Sequence, residues 1–405
     1  MPLLDLSVVL QEPPLGAILI ISDEHARECG GSELFFHLVK LCERPSRVVV
    51  PTEFKWSLTT RLLIRVWRRN RLVRFIKNRS NTVSRLYTIL VYRILQPRLE
   101  AELSRAYRDT KIAGIWTIAH DFLPSLALSL ARRFCCPLHV SVFDIPYTFG
   151  FPDYENSLLK RCFPDWAREA FSLDFASPGM KEYFAPYREG TAERDTVIWS
   201  SAGISPAPTR PPQVRSSIES IVFCGALRFF HEMRALSKAL VLLERRYGKR
   251  IALKLYASKS LDMPACEYMG FLTNRADLTT ALRSCDLAYS PLSFDPKDRL
   301  LVETSFPGKI ASYLQADIPI IAHAPATASN HRFVVENEVG IGIDSLDPEL
   351  IATRILQYES TPELRQSHAR NCQRALGKWF DPGARAGYFS DPFAPVNCSS
   401  LVKCR

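Results

Sequence analysis

Two short segments hold side chains suited to a phosphorylated ligand, and two more carry further polar candidates. The first is Glu28-Cys-Gly-Gly-Ser-Glu33, which follows the apolar run Ala17–Ile21. Leu34, Phe35, Leu38, Val39 and Leu41 come next at helical spacing, so the order is strand, glycine-rich loop, helix. Gly30 and Gly31 there let backbone approach a ligand, and a helix N-terminus favours negative charge. The segment is not the G-x-G-x-x-G dinucleotide fingerprint, and a tight turn alone is the other reading. The second segment is Phe223-Cys-Gly-Ala-Leu-Arg-Phe-Phe-His231. Gly225 closes a strand, and Arg228 lies in the loop beyond it, where a guanidinium can grip a diphosphate with two parallel hydrogen bonds or simply face water. The third runs from Glu303 through Ser305, Phe306 and Pro307 to Lys309. The fourth is Ala119-His120-Asp121 at the end of a strand. A lone histidine at a strand end is often only a hydrogen-bonded structural residue, and that reading of His120 stays open.

The elements that must position these segments follow an alternating pattern. Strands are read at residues 17–22, Arg47–Val50, Ile112–Ile118 and Leu138–Phe143, with helices between them and one at Pro124–Phe134. Residues 144–170, which contain Pro146, Gly150, Pro152 and Pro164, read as irregular. Four prolines between Pro206 and Pro212 mark the best domain boundary. The pattern then restarts. Strands are expected at Ser220–Cys224, Ile251–Tyr256, Leu287–Tyr289, Pro319–Ala322 and Gly340–Ile343. Helices are expected at 231–247, Ala276–Arg283, Gly308–Gln315, 349–358 and 361–377. Strands alternating with helices imply a parallel, doubly wound sheet in each half. The expected organisation is an α/β chain of two Rossmann-like domains facing across a cleft. They comprise residues 1–200 and 216–380, joined by a proline-rich linker at 201–215 and followed by a tail at 381–405.

Composition sets the outer limits. The chain has 405 residues, 47% of them hydrophobic and 23% charged, which suffices for two domains with cores. Disordered, collagen-like, coiled-coil and small disulfide-rich classes are excluded, and no apolar stretch approaches the length of a membrane span. The N-terminus does not read as a secretory signal, since Asp5 comes early and Pro13 and Pro14 break the segment. Eleven scattered cysteines without a C-x-x-C pair suit a reducing cytoplasm. The net charge is +10, and eleven basic residues fall between Arg61 and Arg98, where no acid occurs from Glu53 to Glu100. The rest of the chain is close to neutral. Within this basic helical segment, 61–98, Leu62, Leu63, Val66 and Trp67 interleave with Arg65, Arg68 and Arg69. Such a helix suits an anionic membrane surface, with Arg65, Trp67, Arg68 and Arg69 as its contacts. A core-packed helix with a solvated basic face is the alternative. Nucleic acid is not expected as a partner, because no RNA-binding or helix-turn-helix motif accompanies the patch.

The second half carries a more specific pattern. Tyr268-Met-Gly-Phe-Leu-Thr-Asn274 leads through a helix to Cys285-Asp-Leu-Ala-Tyr-Ser-Pro-Leu292. Glu303-Thr-Ser-Phe-Pro-Gly-Lys-Ile-Ala-Ser-Tyr-Leu-Gln-Ala-Asp-Ile-Pro-Ile-Ile-Ala322 follows. These segments, with Gly30-Gly31-Ser32-Glu33, resemble the large retaining family of GT-B nucleotide-sugar glycosyltransferases (group 1, or family 4, type). The resemblance runs over roughly residues 16–375 and is strongest in 220–345. It implies a hexosyltransferase in surface polysaccharide or glycoconjugate synthesis. The donor is then a nucleotide sugar, and the acceptor a saccharide or lipid-linked saccharide at the cytoplasmic face of the membrane. It also implies donor contacts from Gly30 and Gly31, and from Arg228 and Lys309 at the diphosphate. The backbone of Gly270, Phe271 and Leu272 would hold the base, and Glu303, Ser305, Phe306 and Pro307 would line the sugar. His120 would act as a catalytic residue near the sugar or acceptor. No cofactor or metal is implied, and no Asp-x-Asp clamp occurs in the chain. The family's paired glutamates fall here on Thr304 and Ser312, with Glu303 one place away. A non-catalytic binding protein and a nucleotide-sugar 2-epimerase are the alternatives.

Overall fold

A computed structural model describes residues 17–22, 46–49, 56–69, 81–145, 153–199, 215–272 and 274–381. The chain divides into two units, one ending at Ile198 and the other starting at Trp199. Each contains one six-stranded sheet in which every pairing is parallel.

In the first unit the strands are β1 (Ala17–Ile21), β2 (Ser46–Val49), β3 (Ile112–Ile118), β4 (Leu138–Val142), β5 (Ser172–Phe175) and β6 (Thr196–Val197). Their order is β2-β1-β3-β4-β5-β6. Ile18, Leu19, Ile20 and Ile21 are all buried, as a strand covered on both faces requires. The described helices begin with α1 (Leu58–Arg69) and α2 (Asn81–Ile89). A π-helical segment, Leu90–Leu95, then runs into α3 (Gln96–Ala106). Helix α4 (Leu123–Phe134) carries a proline in its first turn and ends at Cys135, whose φ is +51°. Its Leu123, Leu126, Ala127 and Leu130 are buried, and the helix packs on β3.

The sequence reading of residues 144–170 as irregular is corrected: α5 spans Asp153–Glu169, with Pro164 inside it. Leu159, Phe163, Trp166 and Ala167 are buried at spacings of three and four. That apolar stripe outweighs the hydrogen bond that the proline removes. Strands β5 and β6 and helix α6 (Pro178–Phe184) also escaped the reading. The loop before β6 is fastened by buried Arg188, which grips Asp195 at 2.8 Å and donates to the Ala167 and Ala170 carbonyls.

The second unit contains β7 (Ser220–Cys224), β8 (Ala252–Tyr256), β9 (Cys266–Gly270), β10 (Leu287–Pro291), β11 (Ile320–His323) and β12 (Gly340–Ile343). Its helices are α7 (Phe230–Tyr247), α8 (Arg275–Arg283), α9 (Arg299–Thr304), α10 (Lys309–Gln315), α11 (Ser329–Glu336), α12 (Pro348–Glu359) and α13 (Pro362–Phe380). The order β12-β11-β10-β7-β8-β9 winds outward in both directions from the β7/β10 pair, as in dinucleotide-binding domains. Met233, Leu236, Leu240 and Leu243 of α7 pack with Ile221, Phe223, Leu253 and Leu255 of the sheet. The seven described cysteines are all free. Among the described residues, no helix is long and apolar enough to cross a membrane.

Candidate functional site

Ligands of open parallel sheets bind at the carboxyl ends of the strands, where the winding direction reverses. In the second unit that point lies between β7 and β10. Gly225 follows β7 with φ +113°, a conformation that side chains disfavour. A Cβ at Gly225 would meet the Lys309 ammonium only at an ordinary contact of 3.7 Å, so it is the positive φ that favours glycine beside that group. Lys309 opens α10, and its Nζ sits 3.8 Å from the centre of the Phe223 ring. No described residue forms an ion pair with it. Burial lowers its pKa to about 8, the nearby Cys224 thiol acts in the opposite sense, and Arg228 adds to the lowering. Arg228 lies on the exposed loop between β7 and α7.

The rest of the Glu303–Ala322 segment shows how Lys309 is held. Tyr313, one helical turn on, donates to the Tyr289 carbonyl at 3.1 Å and accepts the Cys224 N–H at 3.3 Å. It thereby ties α10 to the ends of β7 and β10. Phe306 faces inward, with its ring against Trp199 at 4.5 Å and Phe333 at 5.1 Å. Phe306, one of the residues that the resemblance sets along the sugar, is buried here and anchors the Pro307–Lys309 turn. Pro307 is half-buried, and the Ser305 carbonyl accepts from the Ser329 hydroxyl. Glu303 pairs with Arg299 on its own helix at 2.9 Å. Thr304 is buried and returns its hydroxyl to the Leu300 carbonyl.

At the end of β9, Gly270 has φ +86° and turns the chain so that Phe271 is exposed and Leu272 half-buried. A bare aromatic face beside a free backbone suits a planar base. Glu232, at the start of α7, is buried and accepts the Phe294 N–H at 3.0 Å, holding the loop after β10. The sequence reading missed Glu232, Phe223 and Tyr313. Tyr313 alone left a signal, its spacing of four from Lys309.

In the first unit the winding reverses between β1 and β3. His120 lies just beyond β3 and is exposed. Asp121 follows with φ +51°, is nearly buried, and accepts the Tyr92 hydroxyl at 3.0 Å. Gly30 and Gly31, which follow β1 in sequence, lie outside the described residues. The backbone of α1 includes Arg65, Trp67, Arg68 and Arg69, whose side chains also lie outside them. On the described part of the basic segment, Leu58, Leu62, Leu86, Ile89 and Ile94 are exposed, as are Arg61, Arg85, Arg93 and Arg98.

Two parallel, doubly wound units with these strand orders define the GT-B fold of nucleotide-sugar glycosyltransferases. HepE of Anabaena in complex with UDP superposes with a TM-score of 0.61 at 13% identity, over 92% of this chain and 97% of that one. The OtsA apo structure gives 0.62 at 12% identity, over 94% and 99%. Sucrose-phosphate synthase of Thermosynechococcus elongatus gives 0.56 at 10% identity, over 92% and 96%. No curated protein sequence matches the chain. Residues 235–375, which contain Lys309 and Tyr313, match the family model for the C-terminal domain of glucosyltransferase 3-like proteins. The domain match supplies the class of activity, glycosyl transfer, and the solved structures supply the fold.

Proposed function

We propose that the protein transfers a hexosyl group from a UDP-sugar to a saccharide or lipid-linked saccharide held at an anionic membrane surface. The transfer uses no divalent metal and retains the anomeric configuration. The observation that carries this reading is the Lys309 ammonium, enclosed beside Gly225 at the β7/β10 reversal without a carboxylate among the described residues. A diphosphate leaving group gains negative charge as the bond from its oxygen to the sugar carbon breaks. Fixed cations placed where that charge develops stabilise the transition state more than the ground state. Lys309 and Arg228 supply them here. The choice of UDP is supported by HepE, whose solved structures hold UDP, UDP with glucose, and UDP-glucose. Retention is supported by the family resemblance of the Glu303–Ala322 segment.

The acceptor side is His120 at the end of β3, the reversal point of the first sheet. The membrane part of the reading rests on the exposed leucines, isoleucines and arginines of α1, α2 and the π segment, in a stretch of sequence without acids. Two assays test the whole. UDP release from UDP-glucose and other UDP-hexoses, with and without EDTA, should show turnover that EDTA leaves unchanged. No release from any UDP-sugar would refute transfer. Co-sedimentation with phosphatidylglycerol vesicles should be lost when Arg65, Arg68 and Arg69 are changed to Glu. Unchanged sedimentation would remove the membrane surface from the account.

One observation favours a second reading, a donor-binding protein that does not transfer. Thr304 and Ser312 stand where the resembled family has its paired glutamates, and the nearby Glu303 is engaged by Arg299. UDP-sugar binding without UDP release would establish that reading.

A further inference from the structure

The π-helical segment joins the basic surface to the His120 turn. Between α2 and α3 the helix widens, and the Gln96 N–H bonds to the Val91 carbonyl, five residues back. Such a turn inserts one extra residue and re-aims the side chains around it, and it often marks a functional position. Here Val91 and Leu95 are buried, while Arg93 and Ile94 face solvent. Tyr92 lies between these two sets. Its hydroxyl reaches Asp121 Oδ1 at 3.0 Å, and its ring meets Phe122 edge-on at 6.1 Å. One residue thus touches Asp121 and Phe122, the two residues that follow His120, while the next two residues of its own chain belong to the exposed basic and apolar face. Helix α1, which bears the most strongly basic stretch, packs on this same π segment.

The turn that Tyr92 touches is closed by its own backbone bonds. The Ala119 N–H bonds to the Ser141 carbonyl, the His120 N–H to the Ile118 carbonyl, and the Leu123 N–H to the His120 carbonyl. Asp121 adopts a left-handed backbone, which aspartate tolerates better than most residues but at a cost. A short turn in that state is set by the side chains that hold it.

We propose that Tyr92 is a positioning residue that transmits docking on an anionic membrane to the His120–Asp121 turn. When lipid holds Arg85, Arg93 and Ile94, the π segment is fixed, and the Tyr92 hydroxyl then holds the Asp121 carboxylate directly after His120. This rests on the proposed glycosyl transfer only in giving that turn the acceptor role; the coupling itself is a property of the first unit.

The test uses amide hydrogen exchange on the full chain, with phosphatidylcholine vesicles containing or lacking phosphatidylglycerol. In the wild type, phosphatidylglycerol vesicles should slow exchange across residues 119–123 by roughly tenfold. Tyr92→Phe keeps the ring against Phe122 and removes only the hydroxyl. It should bind the same vesicles and show no slowing there. With a water-soluble acceptor, phosphatidylglycerol should raise kcat in the wild type, whereas in Tyr92→Phe the increase should disappear with the KM for UDP-sugar unchanged. Equal behaviour of Tyr92→Phe and wild type would overturn the proposal. So would a wild type that binds vesicles without any change at 119–123, or one that does not bind them. If Tyr92→Phe fails to fold, the wild-type exchange result decides alone. An exchange response without transfer of any sugar would leave the coupling intact and refute the proposed reaction instead.

Discussion

Lys309 is the residue on which the proposed donor site turns, and its surroundings dictate a pH dependence. Its pKa in the free protein is about 8, against an ordinary 10.5, chiefly because the ammonium is removed from water. Below about pH 8 it carries the charge that a diphosphate needs. As pH rises through that value the charge is lost, so UDP affinity should fall, and binding above pH 8 should take up protons from the buffer. Calorimetry in buffers of different ionisation enthalpy measures that uptake. A Lys309→Ala variant should bind UDP roughly tenfold or more weakly, as expected for a lost charge-assisted contact, and its affinity should be flat across this range. Linkage gives the opposite sign for stability. The unfolded chain keeps the proton up to about 10.5, so the free protein should gain stability as pH rises from about 8 towards 10.5. Lys309 was legible in the sequence because a lysine opening a helix after Phe-Pro-Gly is part of a recognisable pattern. Its burial, the Phe223 face beneath it and its approach to Gly225 were not, since they depend on residues about 85 positions away in the chain.

The elements explain why that lysine stays in place. Tyr313 bridges β7 and β10 from α10, and Tyr313→Phe would leave the Cys224 N–H without its partner. Such a loss costs about 1–3 kcal/mol. The expected result is a lower Tm and weaker UDP binding, both read in one thermal titration. In the first unit, Glu102 of α3 accepts from the Ser57 N–H at 2.8 Å, the Ser57 hydroxyl at 2.6 Å and the Thr60 hydroxyl at 2.5 Å. Partial burial raises the Glu102 pKa, but these bonds outweigh burial and hold it below the ordinary value. The stability that Glu102 adds is therefore present above the ordinary carboxylate range and lost as pH falls through its lowered pKa. Glu102→Ala should speed amide exchange in α1 and cost about 1–2 kcal/mol of stability. Strands were the most legible elements: Ile112–Ile118, Ser220–Cys224 and Gly340–Ile343 coincide with their sequence readings because largely buried parallel strands are short apolar runs. Helix α5 was obscured by Pro164, and the π segment has no local signal, since Tyr92 there is directed by a partner at Asp121.

At the scale of the molecule, the proposed chemistry is divided between two parallel sheets. The second presents its cations at the β7/β10 reversal, and the first places His120 at the β1/β3 reversal. Almost all of the net positive charge belongs to one segment of the first unit, so salt should weaken vesicle binding far more than it weakens UDP binding. A salt titration of both on the same sample checks this, and parallel loss of the two would contradict it. The exposed leucines of α1 and α2 could be told from core residues only once the helices were packed, and the proline-rich stretch lies almost wholly outside the described residues. The account stands most directly on UDP binding by the free protein near pH 7 in the presence of EDTA, measured as a thermal shift. A ligand at 100 times its Kd adds about 2.7 kcal/mol of stability. The account predicts a raised Tm with UDP that EDTA leaves unchanged and that Lys309→Ala cuts to about half or less. No shift with UDP, or a shift that survives Lys309→Ala in full, would contradict it.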